Sequence, residues 1–157
     1  MNAQIPQPRK VASGASEVIH HEGYDPAIVS PFVPVIRSVS GARLVFISGV
    51  TGAPVYHDHP HVPAVFDAVP RDIDGQVTNL FENLDHALVA AGAQRSDVVS
   101  LVRFFTNIEE DQDVVNRVQG AWFGGHIPTS TTVEIKRLAT DPRLRLEIQV
   151  IAAVPAD

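Results

Sequence analysis

Cysteine is absent from this chain of 157 residues, aromatic residues make up only 6% of it, and it contains no long hydrophobic run. Without thiols the protein can form no disulfide bond and use no thiolate nucleophile, which is typical of a reducing compartment. A membrane-spanning helix needs about 18 or more continuous apolar residues, and the polar N-terminal residues carry no apolar signal-peptide core. We therefore expect a cytoplasmic protein with no membrane partner.

Clustered positive charge is also lacking. The 12 Lys and Arg residues are scattered and are outnumbered by 18 Asp and Glu residues, which leaves a formal net charge of −6. Binding to the phosphates of a nucleic acid requires a basic patch, so no nucleic-acid partner is expected. The chain also lacks a glycine-rich phosphate loop, a Ser/His/Asp order and a nucleotide-binding fingerprint.

The residues that are present suit a single domain. Hydrophobic residues form 45% of the chain, which is enough for one core at this length. Residues 1–15 hold two prolines and a Gly-Ala-Ser sequence, and this composition predicts a flexible N-terminal tail. The domain is therefore expected to span residues 16–157.

Hydrophobic periodicity predicts six strands and two helices, in the order β-β-β-α-β-α-β-β. A turn at residues 40–42 predicts that the second and third strands form a hairpin. Glycines after each helical pattern predict where the helices end. The predicted strands are residues 17–21, 34–38, 44–48 and 98–105 and two within 128–152, and the predicted helices are residues 72–91 and 111 or 112 to 123.

A run of hydroxyl side chains opens the first of the two C-terminal strands. Pro128 cannot donate a hydrogen bond to a sheet and so marks a strand start. Ser130, Thr132 and Glu134 then share one face of the strand, while the apolar side chains take the other. Hydroxyl and β-branched residues are ordinary strand formers, so the pattern by itself is also compatible with a purely structural strand.

This segment, together with four upstream motifs, resembles the Rid/YjgF family of enamine/imine deaminases over residues 16–154. The resemblance implies an α+β, chorismate-mutase-like fold with two helices packed on one face of a mixed sheet. It also implies a homotrimeric barrel with clefts between subunits, no cofactor and no metal. The upstream motifs are Ser-Pro-Phe at 30–32, Phe-Ile-Ser-Gly at 46–49, and the segments 84–93 and 114–123.

Four positions of the implied cleft differ from the family pattern. Ser130 stands in place of the arginine that grips the substrate carboxylate, and Gln149 in place of the acid that positions the hydrolytic water. Phe32 replaces a tyrosine, and Thr132 takes a position often held by cysteine. The resemblance implies catalytic positions at Gln149, Thr132 and Ser130 and substrate contacts from Phe32, Ser48, Gly49, Asn116 and Arg103, with Asn116 coming from a neighbouring subunit as one possibility.

Arg103 is the most suggestive replacement for the missing cation, because it interrupts an otherwise apolar strand and an arginine pairs well with a carboxylate. An ion pair at a subunit interface is the competing interpretation. Arg37, Arg43, Lys136 and Arg137 are further candidates on or beside strands. Glu134 and Glu147 are interpreted as solvent-facing or salt-bridged rather than catalytic.

Three histidines alternate in the segment His57 to His61, within residues 54–70, which resemble an insertion after Ser48 and Gly49. An extended chain would place the three on one face, as in a facial metal site. The prolines at 60 and 63 instead favour an irregular surface loop without a metal. Such a loop could cap the cleft and contribute a histidine as an acid or base.

The sequence thus predicts a hydrolase that deaminates a small enamine or imine to a carbonyl compound and ammonia. Because the arginine at position 130 is missing, we expect a substrate of the 2-aminomuconate kind, from aromatic degradation, rather than 2-aminoacrylate. Two alternatives stay open. The protein could be a non-catalytic metabolite-binding trimer, or an enzyme of the same fold that catalyses isomerisation or cyclisation.

Overall fold

The computed structural model describes residues 9–10, 15–20, 25 and 32–156. These residues form two sheets and two long helices, in nearly the predicted order, with short 3₁₀ turns at Pro63–Phe66 and Arg95–Asp97. The strands are β1 Arg9–Lys10, β2 Ser16–Ile19, β3 Val35–Ser38, β4 Arg43–Val50, β5 Val98–Phe105, β6 Thr129–Glu134 and β7 Leu146–Val154, and the helices are α1 Ile73–Ala90 and α2 Ile108–Phe123.

The larger sheet has the strand order β4-β7-β5-β6. Strand β7 is antiparallel to both of its neighbours, and β6 runs parallel to β5. Alternate residues of β7, from Leu146 through Ile148 and Val150 to Ala152, are buried on one face, because a central strand with one covered face alternates apolar and polar side chains. Strands β4 and β6 are therefore the two edges of this sheet.

Both helices pack on the same face of this sheet, as predicted. Leu80 and Leu84 of α1 and Val115 of α2 share one core with Phe105 of β5 and Ile148 of β7. These five side chains are at most 1% exposed, and fully burying side chains of this size contributes about 1.5–3 kcal/mol each. The core is what holds the strands that carry the candidate site.

The ends of the helices follow local capping chemistry. The Asp72 carboxylate accepts a 2.7 Å hydrogen bond from the Gly75 amide at the start of α1, and Gly124 ends α2 in the left-handed conformation. Helix α2 begins at Ile108, three or four residues before the predicted start. The prediction placed the start at Asp111 or Gln112, whereas the first turn is formed by three acidic residues, because the helix dipole favours negative charge there.

The predicted hairpin of the second and third strands is wrong. Strand β3 pairs with β2 in a separate three-stranded sheet of order β1-β2-β3, while β4 pairs with β7 along most of its length. Pairing with β7 places Ile47 and Val50 in the main core. That long-range burial outweighs the local turn signal at residues 40–42.

The face of the larger sheet opposite the helices is apolar and open. Phe46 is 72% exposed and Leu44 52%, and Val133 on the other edge strand is also exposed. Residues 1–8 and 11–14 of the predicted tail lie outside the described residues, whereas Arg9–Lys10 pair with β2. Among the described residues no helix is both long and apolar enough to cross a membrane.

Candidate functional site

The predicted site residues fall into two groups, at the two edges of the larger sheet. Arg103, Thr132, Ser130 and Asn116 lie at the β6 edge, and Phe32 lies near them because the Val33 amide donates a 3.2 Å hydrogen bond to the Pro128 carbonyl. Ser48 and Gly49 lie at the β4 edge. Gln149 lies on β7, between the two edges and on the open face. The described chain does not bring all the predicted residues into one cleft.

Arg103 is the most unusual side chain of the β6-edge group. It is only 5% exposed, and Leu101, Arg103 and Phe105 alternate on the helix-facing side of β5. Its Nε donates to the Thr132 hydroxyl at 2.9 Å, and its Nη1 donates to Asn116 Oδ1 at 2.6 Å, with Gln119 Oε1 at 3.5 Å. Every acceptor of this guanidinium in the described part of the chain is neutral. Burial accordingly lowers the pKa of Arg103.

This environment distinguishes Arg103 from the other arginines considered as the substrate-binding cation. Arg37 pairs with the Glu17 carboxylate, and Arg137 donates to backbone carbonyls. The Arg43 and Lys136 side chains lie at exposed positions. A buried cation with uncharged partners is costly unless an anion joins it, so Arg103 has the electrostatic setting of an anion-binding group. The residues that the structure describes supply no ion pair for Arg103, and an ion pair at a subunit interface stays the competing interpretation.

Strand β6 brings the hydroxyl run to Arg103. In the parallel β5–β6 ladder Ser130 is opposite Leu101 and Thr132 is opposite Arg103, so both hydroxyls lie on the same face as the guanidinium. The Ser130 Oγ is buried and has no hydrogen-bond partner among the described residues. Unpaired buried polar groups are rare and usually indicate a missing partner or ligand. Asn116 reaches this group from α2 of the same chain, and a contribution of Asn116 to the cleft of a neighbouring subunit stays a prediction.

The β4-edge group opens on a cavity of about 700 Å³. Ser48 and Gly49 line it where the β4–β7 register shifts between Ile47 and Val50. Helix α1 forms another wall with Asn83 and His86, and the predicted capping loop contributes the cavity-lining residues 54–57. The cavity also contains Thr140 and Glu147.

Glu147, which the sequence analysis interprets as solvent-facing or salt-bridged, is half-buried at the wall of this cavity. Its carboxylate lies so close to Gly49 that any side chain at position 49 would collide with it. Burial raises the pKa of Glu147, and the described residues include no hydrogen-bonding or ionic partner for it. A raised pKa favours a carboxyl group that can donate a proton. The family pattern at residues 147–149 could have indicated Glu147, but the position at which this chain departs from the pattern is Gln149.

Gln149 itself is exposed and stands opposite Val102 of β5. Its side chain points to the open face, away from Arg103 and Thr132, which face the helices. Within one chain Gln149 therefore cannot act on a molecule bound at Arg103. A catalytic role for Gln149 would have to involve a second copy of the chain packed on the open face.

The alternating histidines lie together in the irregular loop that follows β4. The ring centroids of His57, His59 and His61 are 4.4–5.1 Å apart. The chain achieves this in a loop, as the prolines indicated, and not in the extended strand considered for a metal site. His57 also lines the cavity of the β4-edge group, which agrees with the predicted position of the loop over Ser48 and Gly49.

Curated relatives resemble the chain over most of its length. Protein DfrA of Myxococcus xanthus is 31% identical over 133 residues, 84% of this chain and 92% of that protein. TdcF of Escherichia coli, which its name assigns to the reactive intermediate deaminases, is 30% identical over 122 residues, 76% of this chain and 85% of that protein. A 2-iminobutanoate/2-iminopropanoate deaminase of Dermatophagoides farinae is 26% identical over 126 residues, 80% of this chain and 91% of that protein.

A solved structure has the same fold. The Rid-family protein YyfB of Yersinia pestis superposes with a TM-score of 0.71 at 25% identity, covering 89% of this chain and 99% of that one. The family model described as endoribonuclease L-PSP matches residues 24–154. This match includes both helices, the larger sheet and both groups of candidate residues, and it shows that the chain belongs to the endoribonuclease L-PSP, or Rid/YjgF, family.

Proposed function

We propose that this protein hydrolyses a small enamine or imine that carries a carboxylate, releasing ammonia and a carbonyl compound. The observation that carries the proposal is Arg103, a buried guanidinium whose described partners are all neutral. The names of two relatives, a reactive intermediate deaminase and a 2-iminobutanoate/2-iminopropanoate deaminase, support this class of reaction. A cytoplasmic location and the absence of a nucleic-acid partner stay predictions from composition.

Arg103 takes over the role that the family resemblance gives to an arginine at position 130. The two positions lie on neighbouring strands, and Arg103 stands opposite Thr132, two residues further along β6. Their side chains share a face, so a guanidinium from β5 reaches the same edge from the other strand. Charge-assisted hydrogen bonds from arginine to a carboxylate contribute about 1.5–3 kcal/mol. The Ser130 hydroxyl, which has no hydrogen-bond partner in the described part of the chain, is available to the same ligand.

A homotrimer would join the two groups of candidate residues. The β4 edge and the β6 edge are different surfaces, and contact between unlike surfaces of identical chains generates a closed ring when the rotation closes. The open apolar face, with Phe46 and Val133, would line the inside of that ring and leave water. In such an assembly Ser48, Gly49 and Glu147 of one copy would approach Arg103 and Thr132 of the next.

The reaction needs one water addition and several proton transfers. An enamine is protonated on carbon to an iminium ion, and water adds to the C=N carbon and loses a proton to give a carbinolamine. The carbinolamine nitrogen then takes up a proton and leaves as ammonia, while the hydroxyl group loses its proton to form the carbonyl. Glu147 has the properties of the proton donor, because burial raises its pKa. Arg103 would hold the carboxylate, and Thr132, Ser130 and Gln149 would orient the water, with Gln149 acting from the open face of an adjoining copy.

The direct test is ammonia release from enzymatically generated 2-aminoacrylate and from 2-aminomuconate, with the purified protein and without it. We expect acceleration of at least one reaction, and 2-aminomuconate is the substrate favoured by the absence of arginine at position 130. Rates equal to the uncatalysed ones for both compounds would contradict the proposed function.

Replacing Arg103 by methionine tests its role separately. If Arg103 binds the substrate carboxylate throughout the reaction, KM should rise about 10- to 100-fold, corresponding to the loss of roughly 1.5–3 kcal/mol. Arg117→Met is the matched control, because Arg117 lies on α2 beside Asn116 but forms an exposed ion pair with Asp74. Equal kinetic constants for the two variants would exclude Arg103 as the carboxylate-binding residue.

A non-catalytic metabolite-binding trimer is the second candidate, favoured by the uncharged surroundings of Arg103. Such a protein would be thermally stabilised by a small carboxylate that is recovered unchanged. The same incubation decides between the two functions. Ammonia would appear with a deaminase, whereas a binding protein would return the ligand intact.

A further inference from the structure

We propose that His57, His59 and His61 form a binding site for a divalent transition-metal ion, with Zn²⁺ as the best match. Each side chain offers one ring nitrogen, and the three nitrogens lie within 4.8 Å of one another. The proposal does not depend on deamination, because it concerns only the binding of an ion. It adds a metal site that neither the relatives' names nor the sequence predictions assign.

The spacing of the three nitrogens is close to that of a bound ion. Three imidazole nitrogens at about 2.0–2.1 Å from Zn²⁺ lie roughly 3.3 Å apart in a tetrahedral site. The remaining gap of up to about 1.5 Å is within reach of rotations about the side-chain bonds. His59 is exposed, so its ring can turn towards the other two without displacing a packed neighbour.

The surroundings of His57 and His61 favour metal binding by their ring nitrogens. The His57 Nδ1 lies 2.9 Å from the Pro54 carbonyl oxygen. A carbonyl oxygen can only accept, so Nδ1 carries the proton and the lone pair of a neutral ring is on Nε2. This is the arrangement by which a backbone carbonyl orients a metal-binding histidine. The His61 Nε2 is buried and none of the residues described by the structure forms a hydrogen bond with it, so an ion between the rings would satisfy it.

The loop that carries the histidines is held at both ends. Asn83 of α1 donates to the carbonyls of Thr51 and Ala53, each at 2.9 Å. At the far end Arg143 donates to the Pro63 carbonyl at 2.7 Å. Buried Phe66 packs edge-on against His57 and His61, with centroids 5.2 and 5.8 Å away. Ligands held in this way lose less conformational freedom when an ion binds.

The chemistry of the donors selects the class of ion. Three imidazoles suit Zn²⁺, Co²⁺, Ni²⁺ and Cu²⁺ better than Mg²⁺ or Ca²⁺, which prefer oxygen ligands. Three protein ligands also leave a coordination position for water or an anion, as in open zinc sites. Since His57 lines the cavity that contains Gly49 and Glu147, the ion would lie at the wall of that cavity.

Titration of the chelator-treated full chain with Co²⁺ and then Zn²⁺ tests the proposal without any activity measurement. We expect one Co²⁺ per chain, the visible absorption bands of a four- or five-coordinate cobalt ion, and loss of these bands when Zn²⁺ displaces it. Isothermal titration with Zn²⁺ should give the same stoichiometry. A wild-type protein that shows neither saturable Zn²⁺ binding nor the cobalt bands would overturn the proposal.

Variants then locate the ion. His61→Gln should weaken Zn²⁺ binding by at least about tenfold, and replacement of all three histidines by glutamine should abolish it. His86→Gln is the matched control, because His86 lines the same cavity from α1 but lies outside the cluster, and it should bind Zn²⁺ as the wild type does. A folded triple variant with wild-type affinity, or a loss of binding in His86→Gln alone, would place the ion elsewhere and refute the assignment.

Discussion

At most arginine positions lysine is a more conservative replacement than methionine, but at Arg103 we predict that methionine gives the more stable variant. The wild-type guanidinium gains about 3–6 kcal/mol from two short hydrogen bonds, at about 1.5–3 kcal/mol for each bond to a charged group. Against this gain stands the burial of an ion without a counter-charge, which costs several kcal/mol. The two contributions nearly cancel, so the charge of Arg103 adds little to the stability of the fold.

Arg103→Met should therefore change the free energy of unfolding by less than about 2 kcal/mol. The variant removes the buried charge and gains an apolar side chain, worth roughly 1.5–3 kcal/mol on full burial. Thr132 and Asn116 are half-buried, so water can satisfy them after the change. Arg103→Lys should be the less stable variant, because the ammonium stays buried and cannot reproduce the planar fork of hydrogen bonds.

Urea denaturation of the variants at one protein concentration provides the measurement. Arg145→Met is the matched control: Arg145 pairs with Asp111, whose side chain is 1% exposed, and losing that pair should cost about 3 kcal/mol. If Arg103→Met is as destabilised as Arg145→Met, or Arg103→Lys is the more stable Arg103 variant, then an anion is already paired with Arg103 and the reasoning is wrong.

Three further predictions concern the cavity, the core and the open face. Burial raises the pKa of Glu147, so ionisation of this carboxyl group opposes folding. Glu147→Gln should therefore be more stable than the wild type at pH 7, and the difference should disappear below the ordinary pKa of 4.5. Urea titrations at pH 7 and at pH 4 measure this difference, and the opposite sign would show that a cation pairs with Glu147. Gly52→Ala should lower the unfolding free energy by about 1–3 kcal/mol, because the new Cβ would come within 2.6 Å of a backbone oxygen of α1. Gly120→Ala should raise the unfolding free energy by about 0.5–1 kcal/mol, because its Cβ meets nothing within 4 Å. A similar response of the two variants would contradict the packing. Phe46→Asp should reduce the mass measured by light scattering from that of a trimer to that of the 17.0 kDa chain. Val89→Asp, at a similarly exposed position on α1, should leave the mass unchanged. A wild-type mass of one chain would exclude the trimer.

The order of elements could be read from the sequence where local chemistry determines it. Strand β5 occupies the predicted residues, and Gly92 and Gly124 follow the helices with positive φ, a conformation that glycine adopts without strain. Local chemistry was insufficient for the pairing of β3 and β4. Their turn favoured a hairpin, but partners for the two strands lie elsewhere in the chain, and burial across the sheet determined the pairing.

The candidate site divides in the same way. Arg103 was suspected because it interrupts an apolar strand, yet its neutral environment depends on Thr132 from β6 and Asn116 from α2, which only packing brings together. The sequence does not single out Glu147 as a proton donor, because its burial against Gly49 arises where two strands meet at a shift in register. The conformation of residues 57–61 likewise could not be inferred from alternating histidines in a segment that contains proline.

By itself the sequence determined the family, the faces of the helices and the lack of thiols and basic patches, because these depend on composition and on contacts between residues close in the chain. Tertiary structure alone decided the strand pairing, the neutral partners of Arg103, the exposure of Glu147 to the cavity and the meeting of three histidines. The physical reason is that charge burial and ligand geometry depend on distances between elements far apart in sequence. The free energy of packing the whole core sets those distances, and no local pattern contains it.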